Sequence, residues 1–161
     1  MAQPPASSPG GGAGQAPPGL GGSRGPEHRT PRRSAVTRQI VGTPDAPSSP
    51  LFAQGVRVGS HLHVSGMTAV DPATGEMAGP TIRQQLRQAL ANCEAVVAAG
   101  GGAPEDVVEV GVLLAHPEDF AGLNEAWAEY FGDSPPARHV ARLGPELPGV
   151  LVSVRMTAIL G

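Results

Sequence analysis

The stretch TIRQQLRQALANCEAVVAAGGGAPEDVVEVGVLL, residues 81–114, decides the fold of this 161-residue chain. Its first part carries apolar residues at helical spacing, and Thr81 opens it with a capping-box pattern, which predicts a helix over residues 81–99. The three glycines at 100–102 end that helix. Residues 107–114 then have few polar interruptions, which is typical of a buried strand.

The chain downstream of this stretch predicts a second helix and two strands. PEDFAGLNEAWAEYF, residues 117–131, has a proline in its first turn, and its apolar residues again recur at helical spacing. That apolar stripe consists of Phe120, Leu123, Trp127, Tyr130 and Phe131. A short strand is predicted over residues 138–143 and a long final strand over residues 150–160.

Upstream, the sequence predicts an extended loop followed by a β-hairpin. Three prolines in TPDAPSSP, residues 43–50, exclude a central strand there. Residues 52–58 and 61–65 have the alternation of two strands, and a Gly-Ser turn at 59–60 joins them. The cluster DPATGE, residues 71–76, is typical of a turn.

Two amphipathic helices and about five or six strands favour an α+β fold with both helices on one face of the sheet. The final strand is apolar on both faces, because six alternating residues of 150–160 lie on one face while Leu151 and Ile159 lie on the other. The helices can cover one of these faces, and the chain holds no further element for the other. We therefore expect another copy of the chain to cover it, in a homo-oligomer.

The beginning of the chain differs in composition from the rest. Residues 1–34 contain eight glycines and seven prolines and carry a formal charge of +3, whereas residues 35–161 carry −6. Such a composition is typical of a solvated, disordered leader attached to one compact domain. The leader lacks the apolar stretch of a signal peptide, so the cytoplasm is the expected compartment.

Composition excludes several classes of function. All eleven basic residues are arginines, so the chain has no lysine for a Schiff base or a P-loop. The one cysteine, Cys93, lies in the stripe of the first predicted helix and is interpreted as core packing. His61 and His63 share a strand face without a further ligand in view, so we expect a surface or interface pair and no metal. The acidic domain disfavours nucleic acid, and no apolar run is long enough to cross a membrane.

The segment PPARHVARLGPELPG, residues 135–149, is the best candidate for a binding site. Arg138 follows two prolines at the start of a predicted strand, where a guanidinium can face a cleft. A guanidinium binds a carboxylate through two parallel hydrogen bonds, which predicts a carboxylate-binding role for Arg138. A surface or interface salt bridge is the alternative interpretation of the same residue.

Taken together, these stretches resemble the RidA (YjgF-type) reactive-intermediate deaminase family, whose members also carry the name L-PSP endoribonuclease. The resemblance runs from residue 46 to residue 158, in separate blocks that keep the family's order. They include APSSPLFAQGVRVG (46–59), VSGMTAVDPATGE (64–76), DVVEVGVLL (106–114) and PPAR (135–138). The resemblance implies a chorismate-mutase-like mixed sheet, a homotrimer, and small-molecule sites in the clefts between subunits.

The resemblance also implies an activity and a set of site residues. Members of the family hydrolyse enamines and imines, such as 2-aminoacrylate, to a 2-keto acid and ammonia without a metal or cofactor. Matched to the family's motif, Arg138 is the carboxylate-binding arginine, and Val140 is the residue whose backbone amide orients the substrate. The other matched positions line the family's pocket: Phe52 (usually a tyrosine there), Ser65, Gly66 and Asn124.

One matched position departs from the family's pattern. Where the family's deaminases carry the glutamate that holds the attacking water, this chain has Arg155, with no carboxylate within two residues of it. Arginine stays protonated and cannot take a proton from water. Arg155 is expected either to lie beside Arg138, favouring a more anionic ligand, or to point into the trimer interior while backbone carbonyls hold the water. His139 is a further candidate for the base, although strand alternation directs it away from Arg138.

These observations lead to a functional prediction and two alternatives. We expect a cytoplasmic, trimeric imine and enamine deaminase in which Arg138 binds the carboxylate of a small-molecule substrate. The first alternative is a non-catalytic trimer that binds small carboxylates, which Arg155 in the glutamate position favours. Ribonuclease activity, suggested by the family's other name, is disfavoured by the acidic domain and by the lack of a recognisable acid–base pair.

Overall fold

The computed structural model describes residues 36–161, and the predicted leader over residues 1–34 lies outside the described residues. The described chain forms six strands and two α-helices. The strands are β1 (Gln39–Val41), β2 (Gly55–Val58), β3 (His61–Val64), β4 (Val107–Leu114), β5 (Ala137–Arg142) and β6 (Val152–Ile159). The helices are α1 (Ile82–Ala99) and α2 (Phe120–Phe131).

All six strands belong to one mixed sheet in the order β1-β2-β3-β6-β4-β5. β4 and β5 are parallel, and every other neighbouring pair is antiparallel. Parallel pairing requires a crossover connection, and α2 lies in the connection between β4 and β5. The predicted α+β fold with two helices is confirmed, and β5, which begins one residue before Arg138, is an edge strand.

The helix α1 forms where its capping residues and periodicity predict. Thr81 is the N-cap and completes a capping box with Gln84, and Gly100 follows the last helical residue. The predicted stripe is buried throughout: Ile82, Leu86, Ala89, Leu90, Cys93, Val96 and Val97. Cys93 is core, as predicted, because its thiol donates to the Val154 carbonyl at 3.2 Å and burial raises its pKa.

The two faces of the sheet have different surroundings. The face against the helices carries the buried residues that the final strand predicts: Val150, Val152, Val154, Met156, Ala158 and Leu160. On the opposite side, Arg155 and Ile159 of the same strand are exposed. We call this side the open face and define it by five residues: His63, Glu109, Leu113, Arg155 and Ile159. Its apolar members, Leu113 and Ile159, are exposed to solvent in the single chain.

Some predicted boundaries and one buried position are wrong. The first hairpin strand begins at Gly55, because Phe52 pairs locally with Ser49 in a turn. The second helix begins at Phe120, after a single 3-10 turn over Pro117–Asp119, and Phe120 is 45% exposed although it was predicted in the buried stripe. None of the helices in residues 36–161 combines the length and apolar character needed to cross a membrane.

Candidate active site

A cleft of about 590 Å³ lies between the edge strand β5 and the beginning of α2. Its lining consists of Leu114, Pro117, Phe120, Arg138, Val140, Ala141 and Arg142. We call it the β5 cleft. It contains two of the residues singled out from the sequence, Arg138 and Val140, and one that the sequence analysis missed, Arg142.

Strand register places Arg138 in this cleft. Arg138 lies beside Val110 in the parallel β4–β5 pair, and Val110 is buried under the helices, so the arginine side chain leaves the sheet on the helix side. At the sheet edge it reaches Trp127 of α2, where the guanidinium carbon lies 4.8 Å from the ring centroid. An aromatic face attracts a cation without using its hydrogen-bond donors. The donors of Arg138 remain available to a ligand.

Arg142 shares the face of Arg138. It lies beside Leu114, another buried residue of β4, and follows Arg138 by four positions in the same strand. Neither arginine makes an ion pair with any carboxylate in the described part of the chain. The even spacing within a predicted strand is the sequence signal that could have identified Arg142.

Arg155 lies on the open face and therefore on the side of the sheet opposite to Arg138. Across β6 and β4 it pairs with Gly111, which in turn lies beside His139 of β5. Within one chain Arg155 does not lie beside Arg138. His139 is directed away from Arg138, as strand alternation predicts, and this direction brings it to the face that carries Arg155.

A carboxylate missed by the sequence analysis joins these two side chains. Glu109 of β4 places Oε2 at 3.4 Å from Nη2 of Arg155 and Oε1 at 3.3 Å from Nδ1 of His139. A Cβ on Gly111 would lie 2.6 Å from Cε1 of His139 and 3.0 Å from Cγ of Arg155. The glycine therefore leaves the space that lets both side chains lie over β4 and meet Glu109.

The residues at the end of β3 are held by local hydrogen bonds. The Ser65 hydroxyl donates to the Ala53 carbonyl at 2.6 Å, which ties the end of β3 to the loop that contains Phe52. A Cβ on Gly66 would lie 3.1 Å from the Ser153 hydroxyl oxygen. Phe52 is 46% exposed and presents an apolar ring without a hydroxyl.

Asn124 of α2 holds a buried acceptor without a partner. Its Oδ1 accepts no hydrogen bond from any described residue, although the atom is inaccessible to solvent. Asn124 lies one helical turn before Trp127, on the same side of α2. An unpaired buried acceptor is costly, so a donor supplied from outside the described chain would stabilise this arrangement.

Comparison with known proteins identifies the family. A sequence model described as Endoribonuclease L-PSP matches residues 43–160. The chain belongs to this family, the YjgF/RidA family. A RutC family protein of Pyrococcus horikoshii is 36% identical over 123 residues, which covers 75% of this chain and 97% of that protein. The family resemblance predicted from the sequence is confirmed.

One further relative carries the name of an activity, and two solved structures share the fold. The 2-iminobutanoate/2-iminopropanoate deaminase of Bos taurus is 31% identical over 129 residues, covering 80% of this chain and 94% of that protein. The crystal structure of the YjgF gene product from E. coli has a TM-score of 0.70 at 29% identity, covering 75% and 98% of the two chains. E. coli TdcF, solved with bound serine, has a TM-score of 0.71 at 28% identity, covering 76% and 99%.

Proposed function

We propose that this RidA-family protein hydrolyses small imines and enamines of the 2-aminoacrylate type to 2-keto acids and ammonia. The observation that carries the proposal is Arg138, whose guanidinium lies on Trp127 at the β5 cleft with no carboxylate partner among the described residues. The mammalian relatives named 2-iminobutanoate/2-iminopropanoate deaminase support the reaction class. The serine bound by TdcF supports a small ligand with a carboxylate.

The reaction needs orientation more than strong activation. An enamine first gains a proton at carbon and loses one from nitrogen, which gives the imine. Water then adds to the imine carbon, and the electron pair of the C=N bond moves to nitrogen, which takes up a proton. The carbinolamine then releases ammonia: its hydroxyl proton passes to the amino nitrogen, the C–N bond breaks with its electron pair on nitrogen, and the C=O bond forms. Arg138 would hold the neighbouring carboxylate through two hydrogen bonds and so fix the position of the reacting carbon.

In this proposal, Glu109 supplies the carboxylate that accepts a proton from the attacking water. Arg155 cannot accept a proton, but Glu109 lies next to it on the open face. Arg155 and His139 hold the two oxygens of Glu109 and limit its rotation. Glu109 would then take the proton of the water that attacks the imine.

The proposed site lies between two copies of the chain. Arg138 is on the helix side at the β5 edge and Glu109 is on the open face, so a single chain does not bring them together. A second copy whose open face meets this edge would do so. The exposed side chains of Leu113 and Ile159 favour such a contact. A homotrimer is the assembly that we propose.

The first experiment measures release of 2-keto acid and ammonia from 2-aminoacrylate, which a pyridoxal-phosphate dehydratase generates in situ. Wild type, Arg138→Ala and the charge-matched control Arg38→Ala are compared, since Arg38 is exposed beside β1 at the opposite edge of the sheet. We expect acceleration over the spontaneous rate that is lost only in Arg138→Ala. A wild type that gives no acceleration, with its oligomer intact, would overturn the proposal.

The alternative function is a non-catalytic trimer that binds small carboxylates. Arg155, in the position of the family's water-holding glutamate, is the observation that favours it. The variant Arg155→Glu separates the two functions. A large gain of deaminase activity in this variant over an inactive wild type, with carboxylate binding unchanged, would support the binding protein.

A further inference from the structure

We propose that the β5 cleft selects dicarboxylates, with Arg138 binding one carboxylate and Arg142 the other. This inference rests on the proposed function for the role of Arg138, and it adds the substrate class. The preferred substrate of the deamination would be the imine or enamine of a short 2-oxo dicarboxylic acid, and 2-aminoacrylate, which lacks the second carboxylate, would be hydrolysed less efficiently.

The spacing of the two guanidinium groups suits two anionic groups in one molecule. Arg138 and Arg142 leave β5 on the same side, because their neighbours Val110 and Leu114 are both buried on the helix side. Four residues of extended strand separate their Cα atoms by about 13 Å. The long side chain of Arg142, which makes no ion pair with a described residue, can turn toward Arg138 over Val140, which leaves room for a few carbon atoms between two carboxylates.

The charges around the cleft also favour a ligand with two negative charges. The domain as a whole is acidic, and glutamates pair with three of its arginines, namely Arg83, Arg87 and Arg155. Arg138 and Arg142 have no such pair among the described residues. Within the described part of one chain, no acidic side chain lines the β5 cleft, so the positive charges of its two arginines are uncompensated there. Like charges in one cleft repel, and a ligand with two negative charges relieves this repulsion better than one with a single charge.

The apolar part of the cleft distinguishes an organic dianion from an inorganic one. The apolar side chains that line the cleft together with the two arginines are Leu114, Pro117, Phe120 and Val140. Phe120 begins α2 and is 45% exposed, so the ring is accessible to a ligand. Methylene groups between two carboxylates would cover this apolar surface, and its burial would make the free energy of binding more favourable.

Trp127 supplies a binding signal that is independent of catalysis. It is the one tryptophan of the chain and it contacts the guanidinium of Arg138. The full-length protein is titrated with butyrate, succinate, glutarate and inorganic phosphate while tryptophan fluorescence is recorded. We expect succinate or glutarate to bind about tenfold more tightly than butyrate, because the second charged hydrogen-bonded pair adds to affinity.

Three variants test whether the preference for dicarboxylates depends on Arg142. Arg142→Gln should abolish the preference, so that succinate and glutarate bind no more tightly than butyrate does to the same variant. Arg142→Lys should restore part of the preference, because it returns the charge without the planar fork. Arg38→Gln removes the same charge at the far edge of the sheet and should change nothing.

Other results of these titrations would overturn either this inference or the proposed function. Equal affinities for butyrate and the dicarboxylates, or a preference that survives Arg142→Gln, would overturn the inference. Phosphate binding as tightly as succinate would replace it with a general anion site. The absence of binding, checked by calorimetry, would overturn both this inference and the role of Arg138. Dicarboxylate binding without accelerated imine hydrolysis would overturn the proposed function alone.

Discussion

The guanidinium carbon of Arg138 lies 4.8 Å from the centre of the Trp127 ring, so an aromatic face supports the cation at the β5 cleft. Trp127 is itself held in place, since it is buried in α2 and its ring centroid lies 4.4 Å from that of Phe131. An acidic partner would compete with a carboxylate ligand, whereas an aromatic ring positions the cation without occupying its donors. The binding group is therefore positioned before the ligand arrives.

Replacement of the ring should weaken binding without unfolding the protein. We expect Trp127→Phe to raise the dissociation constant for succinate about threefold, because a smaller ring attracts the guanidinium less strongly. Calorimetry measures this change, and kcat of the proposed deamination should stay constant while KM rises. Tyr130→Phe alters a neighbouring aromatic residue that does not contact Arg138 and serves as the control. An unchanged affinity in Trp127→Phe would show that the contact has no role in positioning.

Loss of the Glu109 carboxylate should affect the chemical step. We expect Glu109→Gln to lower kcat about a hundredfold with little change in KM, because the amide cannot accept the proton of the attacking water. Glu76→Gln, in the exposed turn after β3, is the matched control. Retention of wild-type kcat in Glu109→Gln would remove Glu109 from the mechanism.

A charge on the open face should separate the copies. We expect Leu113→Arg to give monomers and to abolish deamination, since a guanidinium would be desolvated in the contact and the proposed site would lose one half. Light scattering after size exclusion should show about three times 16.3 kDa for wild type and a single chain for the variant. Val36→Arg introduces the same charge at a position 73% exposed outside the open face and should leave the assembly intact. A monomeric wild type would contradict the prediction.

Glu94 should make stability depend on pH. Burial raises the pKa of its carboxyl group, against an opposing hydrogen-bond contribution from Tyr130. The folded state then retains a proton that the unfolded state releases, so the contribution of Glu94 to the free energy of unfolding falls as pH rises from the ordinary glutamate pKa through the raised one. We expect Glu94→Gln to flatten this dependence and to melt above wild type at pH 7. Glu118→Gln, which is exposed, is the control; a difference between the Glu94→Gln and wild-type midpoints that does not widen as pH rises would contradict the sign.

Local elements were predictable because their determinants are local. The bounds of β4, the turn at 59–60 and the capped beginning of α1 follow from side-chain periodicity, turn residues and a capping box. Phe120 was misassigned because helical spacing places it in the stripe of α2, whereas as the first residue of that helix it lies at the β5 cleft. Its exposure depends on how α2 packs against β5, and the periodicity of the sequence does not specify that packing.

The sequence by itself determined that Arg138 and Arg142 share a face, since even spacing within one strand is sufficient. It could not determine where Arg155 lies relative to Arg138, because their relative position depends on two strand pairings, that of β5 with β4 and that of β4 with β6. A shift of one residue in either register would move Arg155 to the other face. The tertiary structure sets both registers by burying Val110 beneath the helices, and this packing places Arg155 opposite Arg138.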